Sequence, residues 1–291
     1  MDQYHKFKEG EKGAWLSIIT YVILATIKLI VGTIGNSSAL KADGLNNATD
    51  VVASIAVLIG LKISRKPPDE DHHYGHFRAE MIASLIAAFI MMMIGIQVLF
   101  DTGQTIFTGN YTQPDMLTAW TALGSALIMF CVYLYNVNLG KKVNSTALQA
   151  AAQDNKSDAL VSIGAFIGII GAQFQLYWLD PLAGLMVGLI ICKTAWNIFS
   201  EATHTLTDGF RPEELAAIKQ TIHSHSDVLA IKDVKGRLHA NQALIEATIY
   251  VDPLMTVAAS HQIADYIEEQ LQEKHNVPHA HIHIEPYERK D

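Results

Sequence analysis

Two short stretches of an otherwise apolar sequence carry oxygen donors at helical spacing. Asp43, Asn46, Asn47 and Asp50 lie three, four and seven residues apart, which places them on one stripe of a helix. Asp154 and Asp158 are four apart and share a face of a second helix. A carboxylate left alone in hydrocarbon costs at least ~2.5–3.5 kcal/mol, so an intramembrane acid marks an ion path unless something neutralises it. Lys28 and Lys156 are the nearby bases, and two ammoniums cannot pair four acids. Carboxylates converging in low dielectric either take up protons or share a divalent cation. The chemistry expected is therefore transport of a metal ion or of protons. Asp43 and Asn47 are read as supporting or vestibule groups, with a helix-packing hydrogen bond an equal reading for Asn47.

Further polar clusters lie outside the apolar runs. Residues 69–80 read Asp-Glu-Asp-His-His-Tyr-Gly-His-Phe-Arg-Ala-Glu, three acids and three histidines ahead of Arg78 and Glu80. Nine of the thirteen histidines follow residue 198, and His281-Ile-His283-Ile-Glu285 places three polar side chains on one face of a strand. No HExxH, nucleophile elbow or phosphate-binding loop is present, which argues against a metallohydrolase and against an ATP-driven pump. Met91–Met93, Cys131 and Cys192 fall in apolar runs and are read as packing groups.

These groups need elements to position them. The chain has 291 residues, 50% hydrophobic and 17% charged, with mean hydropathy +0.19. Residues 1–198 carry 13 basic and 14 acidic side chains, the rest 8 and 15. An acidic tail without a basic stripe excludes nucleic acid as a partner. Apolar runs at about 14–34, 38–63, 79–101, 116–139, 146–171 and 179–198 each approach the roughly 20 residues that span a bilayer. Lys6, Lys8 and Lys12, then Lys62, Arg65, Lys66 and Arg78, then Lys141 and Lys142 fall on alternate connections; the other connections have no Lys or Arg. The positive-inside rule then puts both termini in the cytoplasm. Asp50 and Asp158 lie at similar depth in antiparallel helices, near mid-bilayer.

After Ser200 the pattern becomes that of a small soluble domain: a helix from Pro212, strands over 228–237 and 243–251 joined at His239–Gln242, a helix over 257–275 and a strand over 279–286. The expected fold is an all-α six-helix transmembrane domain over residues 1–200 and a cytoplasmic α+β (αββαβ) domain over 201–291.

The segments Ser38–Asp50 and Asp154–Ser162 resemble the second- and fifth-helix signatures of the cation diffusion facilitator family, and the resemblance covers the whole chain. It implies proton-coupled export of a divalent metal across the plasma (inner) membrane by a homodimer working by alternating access, with membrane lipid around it and protons as counter-ion. It assigns the transport site to Asn46, Asp50, Asp154 and Asp158. By the same resemblance Asp69, His72 and His76 form a loop metal site, and Arg78 and Asp208 a charge pair between membrane domain and tail. His261, His283 and Glu285 form a tail metal site, two further positions of which are Lys232 and Thr248 here; an ammonium repels a cation.

No resident cofactor is implied; the metal is cargo. Zinc-type relatives place imidazole in the transport site, whereas this set is all oxygen and resembles the manganese branch. Zinc prefers N and S donors, while carboxylate and carbonyl oxygens suit Mn²⁺. Mn²⁺ is the expected ion, with Zn²⁺, Fe²⁺ and Co²⁺ as alternatives. A membrane-anchored metal sensor is the rival from another class.

Overall fold

The computed structural model describes residues 3–143, 146–239 and 242–287. The side chains of Lys6, Lys8 and Lys12, and Ala240 and Asn241 of the expected β-turn, lie outside the described residues.

Six long helices come first: α1 (Gln3–Ile34), α2 (Ser38–Ser64), α3 (Ala79–Thr108), α4 (Met116–Val143), α5 (Thr146–Gln173) and α6 (Leu179–Leu206). All but α5 are long and apolar enough to cross a membrane on composition alone. α5 falls short because its first half holds Asp154, Lys156 and Asp158, the residues singled out for chemistry. It packs chiefly along α4 and touches α1. A chain in lipid must satisfy its backbone internally, and helices do so. Their lipid-ready surfaces are large and apolar: Trp15, Ile23, Phe89, Ile96 and Trp196 are all exposed.

Small residues let the helices approach. Ala39 and Leu40 of α2, Ala119 and Ala122 of α4, and Ala165 and Ile169 of α5 form a fully buried cluster. A Cβ on Gly184 of α6 would lie 2.9 Å from the Thr102 methyl and 3.1 Å from the Ser38 backbone, so glycine suits that close crossing. The α1–α2 turn needs just three residues because Asn36 takes a left-handed conformation (φ 53°). Asp180, at the start of α6, then caps α2. One carboxylate oxygen accepts from Ser37 Oγ at 2.6 Å, and the other from the Ser38 backbone N–H at 2.7 Å.

The remaining elements are α7 (Pro212–His223), β1 (Ala230–His239), β2 (Gln242–Val251), α8 (Val257–His275) and β3 (His279–Pro286). α7 opens on Pro212 with Glu213 and Glu214 in its first turn. Thr256 caps α8, and Asn276 (φ 54°) ends it. β1 pairs antiparallel with β2, and β3 pairs parallel with β2 after the α8 crossover. Ile218, Ile222, Ile245, Ile249, Ile267 and Leu271 form the core between sheet and helices. The β1–β2 register slips between Ile231 and Asp233, leaving Lys232 as the extra residue of a bulge.

The chain divides into two compact units, residues 1–58 with 84–199, and residues 59–83 with 200–291. The second unit therefore takes in the histidine loop and the helix ends flanking it.

Candidate metal centre

Within the first unit, a cavity of about 670 Å³ is lined by Asn46, Asp50, Asp154 and Asp158, the four residues predicted for transport. It also reaches Ser17 and Tyr21 of α1, Met91 of α3 and Asn197 of α6. The helical stripe explains the convergence. Asn46 and Asp50 are one turn apart on α2, Asp154 and Asp158 one turn apart on α5, and each pair faces the same space. Asn46 and Asp158 are nearly inaccessible, at 6% and 7% exposure, while Asp154 lies in the open part.

Asp158 is held from both sides. The Tyr21 hydroxyl donates to Oδ2 at 2.7 Å, and Asn46 Nδ2 donates to Oδ1 at 3.0 Å. Each carboxylate oxygen thus keeps a lone pair for an incoming cation while its orientation is fixed. With its N–H₂ turned to Asp158, Asn46 keeps its carbonyl oxygen available. The Tyr21 hydroxyl also lies 2.9 Å from Asn155 Oδ1, and Asn155 and Asn136 both donate to Ser17 Oγ, at 3.1 and 2.9 Å. This polar chain ties α4, α1 and α5 to the site. By contrast Asp50 Oδ2 is buried with no hydrogen-bond partner.

Asp43 has a different place. Its Oδ2 lies 2.9 Å from Lys28 Nζ, both side chains fully buried, and Lys28 also donates to Asn47 Oδ1 at 2.6 Å and Ser162 Oγ at 2.9 Å. None of these four lines the cavity. Asp43 is therefore an ion-pair partner and not a vestibule group, and Asn47 takes the packing hydrogen bond. Lys156 sits on the outer surface of α5, its ammonium 5.9 Å from the Tyr133 ring, and neutralises none of the site acids.

Three residues that organise the site escaped the sequence reading: Tyr21, Ser17 and Asn155. Ser17 and Tyr21 are four apart on α1, the same signal that exposed the acids, but a hydroxyl in an apolar helix carries no charge to betray it. Asp180 was also missed as the cap of α2.

In the second unit, Asp69, His72 and His76 come together. His72 Nδ1 is 3.0 Å from Asp69 Oδ1 and His76 Nε2 is 3.4 Å from Oδ2. The backbone N–H groups of Asp71 and His72 donate to the same Oδ1, closing a tight turn around the carboxylate. Among the described residues this is the only group of three His, Cys, Asp or Glu whose donor atoms all lie within 4.8 Å of one another. The hydrogen bond from His72 holds the Asp69 carboxyl below the usual carboxylate range. Arg78 Nη2 is 2.7 Å from Asp208 Oδ1, with Asp208 in a left-handed turn (φ 60°) that aims its side chain there.

The tail trio does not assemble in this way. Lys232 Nζ sits 2.7 and 2.8 Å from the two oxygens of Glu285. His283 Nε2 is 3.8 Å from Glu285, and His261 faces Asp265 on its own helix at 3.7 Å. The bulge that frees Lys232 from the strand register delivers its ammonium to the carboxylate, and that ammonium holds the Glu285 carboxyl low.

A helical membrane body with buried, uncompensated carboxylates around a cavity, followed by an α+β domain, defines a divalent-metal efflux transporter rather than an enzyme. Residues 14–207 match the cation efflux transmembrane domain and residues 210–287 the cation efflux protein cytoplasmic domain, a domain associated with dimerisation. The chain belongs to the cation efflux family and is an integral membrane protein. It is 54% identical over its whole length to the manganese efflux system protein MneS of Bacillus subtilis, which it also covers in full. It is 51% identical to the uncharacterized transporter YdbO of the same organism, covering 98% of this chain and 99% of the relative. It is 32% identical to the manganese efflux system protein MneP, also of B. subtilis, over 96% of each chain.

Proposed function

We propose that this protein exports Mn²⁺ from the cytoplasm in exchange for protons, as a homodimer working by alternating access, with Asn46, Asp50, Asp154 and Asp158 as the transport site. The observation that carries this reading is the cavity that gathers the carboxylates of Asp50, Asp154 and Asp158 with the carboxamides of Asn46, Asn155 and Asn197, beside Lys193 and with no imidazole or thiol. Such an all-oxygen set suits a hard cation such as Mn²⁺ better than Zn²⁺. The names of two relatives, manganese efflux proteins at 54% and 32% identity, support the same ion.

With both termini in the cytoplasm, as the basic connections argue, the cavity opens inward, on the side where α1 and α5 begin and α2 and α6 end. The deprotonated acids take the cation there. After rearrangement the same oxygens face outward, where protons compete for them and release it. Metal and proton exclude one another because a carboxylate must lose its proton to ligate. On this reading residues 1–200 form the transport body and 201–291 the cytoplasmic domain, Arg78 and Asp208 pair between them, and Asp69, His72 and His76 bind a cation in the loop between α2 and α3.

The test is uptake of Mn²⁺ and Zn²⁺ into proteoliposomes carrying a pH gradient. Mn²⁺ flux that collapses with the gradient is expected. Zn²⁺ flux with little Mn²⁺ would refute the choice of ion, and Mn²⁺ flux indifferent to the pH gradient would refute the proton coupling.

A further inference from the structure

We propose that Lys28, latched to Asp43, is the exit-side gate of the transport path. The inference rests on the reading of Asn46, Asp50, Asp154 and Asp158 as the transport site.

The cavity approaches those residues from one end of the bundle only. Along α2 its lining runs from Asn46 through Asp50 to Ser54, and along α5 from Ala151 to Val161. Past that limit, toward the opposite end, the space between α1, α2 and α5 is filled by Lys28, Asp43, Asn47 and Ser162, each with no exposed surface. Lys28 lies seven residues beyond Tyr21, Asp43 seven residues before Asp50, and Ser162 four residues after Asp158. At ~1.5 Å rise per residue, the latch sits one to two helical turns past the site. Further on, Asp180 closes the end of α2 through Ser37 and Ser38. A cation leaving by that end must pass the Lys28 ammonium.

A hydrophobic plug would close the same space, so the charge needs its own explanation. A buried ion pair contributes little net stability compared with well-packed apolar groups. It does provide two discrete states. Joined, the pair fills the path and its fixed positive charge repels a cation, as basic groups do in ion-excluding pores. Parted, it leaves Asp43 as an oxygen donor on the way out, and Asp43 Oδ1 already has no hydrogen-bond partner. Lys28 bridges three helices at once, so a shift of α2 or α5 against α1 breaks it. Within the transport cycle Lys28 is a positioning residue and not a ligand.

The test uses the full chain in sealed proteoliposomes, with Cys131→Ser and Cys192→Ser removing native thiols and Ser162→Cys placing a probe in the latch. A membrane-impermeant cationic thiol reagent is applied from the exit side, and Mn²⁺ binding is measured on the same preparations. Lys28→Met and Asp43→Asn are each expected to raise labelling at least about fivefold, since either breaks the joined state. Mn²⁺ affinity should stay within about threefold, because the ligands are untouched. The double variant Lys28→Met/Asp43→Asn, which also lacks the joined pair, should label at least as strongly as either single variant. Unchanged labelling in both single variants overturns the gate. Labelling of the double variant at the native level also overturns it, since a path without the pair would then stay closed. Asp158→Asn separates the two readings. If it binds and exports Mn²⁺ normally, the transport site falls whatever Lys28 does; if it is inactive while the Lys28 variant fails to label, the gate alone falls.

Discussion

The intramembrane acids and the acids of the tail differ in what neutralises them. Lys28, outside the cavity lining, is committed to Asp43; Lys193 lies on the lining, and among the described residues Asp50, Asp154 and Asp158 form no ion pair. In the tail the pairing is far more complete: Lys232 takes Glu285, Lys235 takes Asp233, and Arg237 lies 3.6 Å from Glu246. A cation site needs negative charge that the protein has left unpaired in a place water cannot screen. The tail, although richer in histidine and acid, pairs the acids of its strands with bases at an exposed surface where such pairs are worth little. Residue type alone therefore overstates the tail and understates the membrane body.

The comparison breaks first at Asp158. Replacing an outer partner of a metal ligand typically costs 10–100-fold in affinity or activity, so removing a ligand should cost more than about 100-fold. Asp158→Ala and Asp50→Ala are expected to abolish export in vesicles while the detergent-solubilised protein keeps its elution volume and helical content. Export by Asp158→Ala at the native rate would place the unpaired charge elsewhere.

A smaller effect tests whether donor type sets the ion. Asn46→His and Asp154→His introduce imidazole, and each should move the Mn²⁺ to Zn²⁺ flux ratio toward zinc by about tenfold, or ~1.4 kcal/mol. Tyr21→Phe, which removes the donor to Asp158 Oδ2 without changing the cavity wall, should weaken Mn²⁺ binding by roughly tenfold. No change in Tyr21→Phe would mean that the Asn46 hydrogen bond alone orients the carboxylate.

The elements were far more legible than the connections between side chains. Periodicity and length give six long helices and the α-β-β-α-β order of the tail, and the three-, four- and seven-residue spacings place Asn46, Asp50, Asp154 and Asp158 on the faces that line the cavity. Sequence could not say which acid Lys28 would choose, because Asp43 and Asp50 lie on the same stripe and only the helix packing decides. Nor could it find Tyr21, whose role depends on α1 lying against α5. The bulge at Lys232 was equally hidden: one residue of register slip redirects a side chain, and no local signal marks it. The grouping of residues 59–83 with the tail is a long-range contact pattern and leaves no trace in composition.

The loop occupies the middle of the comparison, exposed like the tail but with its acid bonded to imidazoles and not to a base. Asp69 has its carboxyl held below the usual range by His72. Its ionised form therefore persists as pH falls toward about 4, where an ordinary carboxylate begins to protonate. On the proposed loop site, acidifying from neutrality to about pH 5 should therefore not release Mn²⁺ through protonation of Asp69. Accordingly Asp69→Asn should lower the amount bound and leave the pH midpoint in place, as read by equilibrium dialysis. A moved midpoint would make Asp69 the titrating group.

The smallest expected effect sharpens the comparison most, because it asks whether the pairing of Glu285 with Lys232 weakens metal binding at the tail. Lys232→Ala frees Glu285 beside His283, and the isolated tail face then offers an uncompensated carboxylate and an imidazole 3.8 Å apart. The variant should bind a divalent ion more tightly than the native tail, while export changes less than about twofold, since the transport site is untouched. The pH dependence follows from the pair. Glu285 is held low by Lys232, and Lys232 is held high by Glu285. The contribution of Glu285 to stability is present above the ordinary carboxylate range and is lost as pH falls through its lowered value. That of Lys232 is present below the ordinary lysine range and is lost as pH rises through its raised value. Native and Lys232→Ala proteins should thus differ in thermal midpoint across neutral pH and converge in acid, below about pH 4. A difference that persists into acid would show that Lys232 acts by packing its alkyl stem, and Glu285 would then be no better a ligand without it than with it.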